Sequence, residues 1–106
     1  MADMYVSSAL PSGAGAVFEY DGETGYFYLF DMHQPDGSQI VAHIHIVSAE
    51  PGFGQDDLEI VWSAEDRYVG LTIKGALYAA FDTTTQERFG GTEAGFEIPD
   101  PVRQAF

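Results

Sequence analysis

The residues best equipped for chemistry in this chain are two histidines one position apart. In His43-Ile44-His45 both imidazoles fall on one face of any strand that holds them, because strand side chains alternate. Two such rings could share one metal ion at about 2.1 Å, but catalytic zinc sites bring three protein ligands. Glu50 supplies a third only if the strand ends near Ser48 and the chain folds back. His33 is the one other histidine. Equal steps back from Asp36-Gly37 put it opposite about Ile40, about 10 Å from His43 at 3.3 Å per residue. We therefore expect no resident metal, with His43, His45 and Glu50 as the ligands if one were held.

Other chemistries find less support. Cysteine is absent, which removes disulfides, thiolate sites and cysteine nucleophiles. No Gly-x-Ser-x-Gly elbow occurs. Neither Gly13-Ala14-Gly15 nor Gly52-Phe53-Gly54 continues into a phosphate loop. Asp21–Gly25 lacks the spaced oxygen ligands of a calcium loop and reads as a tight turn. No catalytic residue is expected, and no cofactor.

Charge excludes further classes. Seventeen Asp and Glu oppose Arg67, Lys74, Arg88 and Arg103, for a net charge of −13. Four scattered cations make no groove for a phosphate backbone or an anionic membrane. A basic protein partner is electrostatically favoured instead. No apolar run approaches the roughly 18 residues of a membrane span. Met1–Leu10 has neither the basic patch nor the apolar stretch of a secretory signal, so a cytoplasmic location is expected.

The elements that must carry these residues read as strands. Alternating or apolar runs cover Ala16–Tyr20, Gly25–Met32, Gln39–Val47, Leu58–Trp62, Tyr68–Ile73 and Ala76–Phe81. Gln86–Phe89 and Gly95–Ile98 read as short edge strands, with a helix over Thr83–Phe89 as the alternative to the first. Turn signals separate the runs, including Pro35-Asp36-Gly37 and the two-residue hairpin Lys74-Gly75. The expected fold is all-β and mostly antiparallel: a six-to-seven-stranded meander closed as a small sandwich or barrel, with at most one short helix. Residues 1–106 should form one domain, with an edge strand and loop in 1–15 and an irregular tail over 99–106. The expected interior is Ile40, Ile44, Ile46, Leu58, Ile60, Val69, Leu71, Leu77 and Phe81, each on the cleaner apolar face of its strand. Most aromatics should be core or cross-strand partners, with a minority free to line a binding face.

Two resemblances bear on function. Gly37, His43, His45 and Glu50 sit at the spacings of the first cupin motif, in which a glycine precedes a His-x-His pair and a glutamate. Asp57 stands where that motif closes on glycine, and no histidine follows His45 to supply the second motif. Asp21-Gly22-Glu23-Thr24-Gly25-Tyr26-Phe27-Tyr28 resembles a family of short bacterial proteins, domain of unknown function 2251. Val17-Phe18-Glu19, Ile40–Val47, Ile60-Val61-Trp62-Ser63, Leu71-Thr72-Ile73 and Ala79-Ala80-Phe81-Asp82 extend the likeness over residues 17–82. That resemblance implies a bacterial single-domain protein and supplies no activity or ligand. The leading functional expectation is a non-enzymatic module that binds a protein, with an inhibitor or immunity-type role toward a basic partner as its concrete form. The alternative is a cupin-like metal-dependent protein centred on His43, His45 and Glu50.

Overall fold

The computed structural model describes residues 3–35, 37–48, 52–92 and 97–106. Eight strands run in chain order: β1 (Met4–Ala9), β2 (Ala14–Tyr20), β3 (Thr24–Asp31), β4 (Ile40–Ser48), β5 (Leu58–Trp62), β6 (Tyr68–Ile73), β7 (Ala76–Asp82) and β8 (Arg88–Gly90). They form two four-stranded antiparallel meanders, β1-β2-β3-β4 and β5-β6-β7-β8. The sheets pack as a sandwich, and one apolar cluster fills the space between them. Phe18, Phe27, Leu29, Ile44 and Ile46 enter it from the first sheet, and Leu58, Val69, Leu71, Ala79 and Phe81 from the second. At its centre the Phe27 and Phe81 rings stack at 5.0 Å.

Both pairs of edge strands are tied across the sandwich. Trp62 Nε1 donates to Ser8 Oγ at 2.8 Å, joining β5 to β1. Thr92 N donates to the His45 carbonyl at 3.1 Å, and Arg88 Nη1 to that of His43 at 3.3 Å, joining the β8 region to β4. Short turns set the meanders. Lys74 and Gly75 have φ of 54° and 82°, both positive as a type I′ hairpin requires.

Two expected core residues lie elsewhere. The pairing of β3 with β4 shifts between Leu29 and Phe30, so Phe30 opposes Ile40. That bulge moves Ile40 to the outer face, where it is 57% exposed. The pairing of β6 with β7 shifts between Leu71 and Thr72, so Leu77 opposes Thr72 on the outer face instead of joining Leu71 inside. A one-residue insertion reverses every facing beyond it, and alternation in a single strand carries no sign of it.

The ends and connections differ from expectation too. The β3–β4 connection occupies the residues between Asp31 and Ile40, so His33 sits in a loop and not opposite Ile40. Residues 83–87 form a turn, with Gln86 at φ 66°, in place of the alternative helix, and pairing resumes only at Arg88. Asp36 of the expected turn and residues 95 and 96 of the expected edge strand lie outside the described residues; Glu97 and Ile98 are not in a strand.

The tail is a short helix, α1 (Asp100–Gln104), where irregular chain was expected. Proline is tolerated in a first helical turn because the amide it lacks would have no partner there. Asp100 in the first turn and Arg103 in the last also suit the helix dipole. Val102 is buried, and the Phe106 ring lies over Gly70, where a β-carbon would come within 3.0 Å of Phe106 Cζ. The outer face of the second sheet is thus partly covered by the chain's own C-terminus. No helix among the described residues is long and apolar enough to cross a membrane.

Candidate functional site on the open face of the first sheet

The outer face of the first sheet carries a cluster of rings, of which Tyr5 and His43 are exposed. Alternation sends Phe27 and Leu29 of β3 inward and Tyr26, Tyr28 and Phe30 outward. The ladders then line up neighbours in rows. One row runs Tyr5, Glu19, Tyr26, His45 across β1 to β4. The next runs Ser7, Val17, Tyr28, His43, and a third runs Ala9, Gly15, Phe30, Ile40. Gly15 has a steric cause: the Phe30 ring lies flat across it and occupies the space of any β-carbon.

Rings touch along and across the strands. Tyr26 stacks on Tyr28 at 5.9 Å and meets His45 and His43 edge-on at 5.2 and 5.8 Å. The face remains open: Tyr5 is 57% exposed, Glu19 and His43 are exposed, and Tyr26 and Tyr28 are half-buried. Partial burial raises the Tyr28 phenol above its ordinary value, and the Glu19 carboxylate adds to that. Glu19 has no ion-pair partner among the described residues. At the hairpin end of the face, the Asp21 carboxylate is held below its usual range by the amides of Thr24 and Glu23.

The two histidines do share this face, as their spacing requires. Glu50 lies outside the described residues. His33 sits on the β3–β4 loop, where its Nε2 donates to the Ser12 carbonyl at 2.6 Å beside a cleft of about 220 Å³. His45 is engaged at both nitrogens: Thr92 Oγ1 lies 2.5 Å from Nδ1 and Ser48 Oγ 2.8 Å from Nε2. Thr92 Oγ1 also donates to the His45 carbonyl at 3.3 Å, so a consistent arrangement has Nδ1–H donating to Thr92 and Ser48 O–H donating to Nε2. A metal would have to displace one of these hydroxyls. No group of three or more histidine, aspartate or glutamate ligands occurs among the described residues. Two meanders also differ from the jelly roll that a cupin-like reading needs. Titration calorimetry with Zn²⁺ and Mn²⁺ is expected to show no stoichiometric submicromolar binding, in the wild type or in His43→Ala/His45→Ala. A submicromolar site that disappears in the double variant would restore the metal reading.

Tyr5 and Glu19 are the members of this face that strand-by-strand reading misses. Glu19, a lone charge in the apolar run Ala16–Tyr20, is the one local sign of them.

Fold and site together define an acidic β-sandwich with one outer face partly covered by its own tail and the other open and aromatic. The chain belongs to the family described as "Uncharacterized protein conserved in bacteria (DUF2251)", which it matches over residues 2–99. It is similar to an uncharacterized protein of Haemophilus influenzae, 38% identical over 69 residues, 62% of this chain and 42% of that protein. The match therefore spans less than half the length of that relative. No solved structure matches the chain.

Proposed function

We propose that this protein is a non-enzymatic, cytoplasmic binding module whose open first-sheet face docks a basic protein, in the manner of an inhibitor or immunity-type partner. The observation that carries this reading is the contrast between the two outer faces. The Phe106 ring of the tail lies over Gly70 on the second sheet, while Tyr5, His43 and Ile40 stay exposed on the first, beside the half-buried Tyr26 and Tyr28. Tyrosine is enriched at protein interfaces, where a flat ring and a polar tip suit a surface that is alternately wet and buried. The charge of −13 supplies attraction toward a cationic surface and speeds encounter with it.

Affinity capture from the source bacterium, followed by reconstitution with the purified partner, tests the reading. Ile40→Lys/His43→Lys removes an apolar contact and adds like charge at one corner of the face. It should weaken the reconstituted complex at least about tenfold, and raising the salt concentration should weaken the wild-type complex. An unchanged affinity in the double variant would place the interface elsewhere and overturn the reading.

A further inference from the structure

We infer that the row Tyr5–Glu19–Tyr26 forms a clamp for a single arginine side chain of the partner; this rests on the docking reading above. Tyr5 and Tyr26 each stand directly opposite Glu19, one on each neighbouring strand. Adjacent strands lie about 4.8 Å apart, so the two tyrosines leave the sheet about one strand spacing to either side of Glu19. Tyr28, two residues along β3 and in the next row, stacks on Tyr26 and extends that wall along the strand. The floor of the slot is an exposed carboxylate with no cation of this chain beside it among the described residues.

Those features fit a guanidinium better than an ammonium. A guanidinium is planar, offers paired N–H donors to one carboxylate and stacks by its face on aromatic rings. An ammonium is a compact, strongly hydrated point charge that gains little from a slot between rings. Asp21 and Glu23, on the β2–β3 turn at this end of the sheet, extend the negative field toward further basic residues beside the clamped one.

The test uses the full chain, ¹⁵N-labelled, titrated at physiological salt with a capped Gly-Arg-Gly-Arg-Gly peptide and its lysine and citrulline counterparts. Amide shifts are expected around Tyr5, Glu19, Tyr26 and Tyr28 with the arginine peptide. Binding should fall at least about tenfold with citrulline or in Glu19→Gln, and several-fold with lysine or in Tyr26→Leu. Glu59→Gln, an exposed carboxylate on the second sheet, should leave it unchanged. Equal binding of the lysine peptide would overturn the guanidinium assignment. Equal losses in Glu59→Gln and Glu19→Gln would reduce the effect to general attraction and overturn the clamp. Shifts that grow with protein concentration alone would mean that the face pairs with a second copy, which also overturns it. With the partner in hand, the two readings separate. A complex that survives Glu19→Gln but not Ile40→Lys/His43→Lys keeps the docking face and removes the clamp; one that survives both removes both.

Discussion

Phe81→Ala is expected to destabilise the fold by about 3–5 kcal/mol, a large share of the roughly 5–15 kcal/mol that holds a typical domain together. Phe81 is fully buried on β7, and its ring stacks on Phe27 of the opposite sheet. Truncation removes the apolar transfer energy of a whole ring and also leaves a void between two sheets that β-ladders hold in place. Strands anchored on both sides relax poorly into such a void, which puts the cost in the upper part of the range for large-to-small changes. Phe27→Ala should cost a similar amount, and the double variant less than the sum, because both rings bound the same space. Urea denaturation monitored by Trp62 fluorescence measures this. Ile40→Ser is the contrasting substitution. As an outward residue beyond the bulge it should change stability by under about 0.5 kcal/mol. A loss at Ile40 equal to that at Phe81 would mean that Ile40 faces inward.

That contrast marks how far a single sequence can be read. Alternation in Gln39–Val47 puts Ile44 and Ile46 inside and both histidines on the opposite face, as the fold has them, whereas Gly25–Met32 is apolar on both faces and its pattern does not say that Phe27 and Leu29 are the inward pair. It failed where pairing partners decide the facing. The shift before Phe30 and the one after Leu71 belong to ladders between strands, and no local pattern in Ile40–Val47 or Ala76–Phe81 encodes them. Ala14 and Gly15 were missed as the start of β2 because neither has strand propensity. Their place depends on the Phe30 ring that covers Gly15. The tail helix was missed because Pro99 and Pro101 read as irregular chain, although one fits the N-cap and the other the first turn. Within the site, the His43–His45 pair was legible from spacing alone. The row through Tyr5, Glu19 and Tyr26 was not, because it exists only in the register of three strands. The Thr92 contact to His45 spans 47 residues and reflects closure of the sandwich edge.

The second large effect concerns Asp82 at the end of β7. Its side chain is 3% exposed, and each oxygen has a distinct task. Oδ2 accepts from Arg67 Nε at 3.0 Å and Nη2 at 2.8 Å. Oδ1 accepts from the amides of Thr84 at 2.8 Å and Thr85 at 3.0 Å. One carboxylate therefore fastens the β7–β8 turn and ties it to the β5–β6 connection, where Thr83 Oγ1 adds bonds to the carbonyls of Asp66 and Arg67. Burial pushes the Asp82 carboxyl upward, but the Arg67 guanidinium and the two threonine amides outweigh it and hold the group below the usual carboxylate range. Asp82→Ala should cost about 2–4 kcal/mol at pH 7, from lost charge-assisted bonds and turn amides left without an acceptor. Arg67 is half in solvent, at 52% exposure, so Arg67→Ala should cost less than Asp82→Ala. The pH dependence follows from the direction of the shift. The unfolded chain binds a proton near pH 3.9, while the folded chain resists it to lower pH. The stabilisation is complete above that value and is lost as pH falls through the lower, folded one. Asp82→Asn should therefore flatten the rise of stability with pH between about 3 and 5. A smaller slope should remain from Asp21 and Asp31, whose carboxyls are also held low, Asp31 by the His33 amide and the Gln34 side chain. Urea midpoints for wild type and Asp82→Asn across that range decide the matter: parallel curves would show that the carboxylate contributes nothing to acid sensitivity, and a midpoint unmoved in Asp82→Ala at pH 7 would show that the turn is held by its backbone bonds alone.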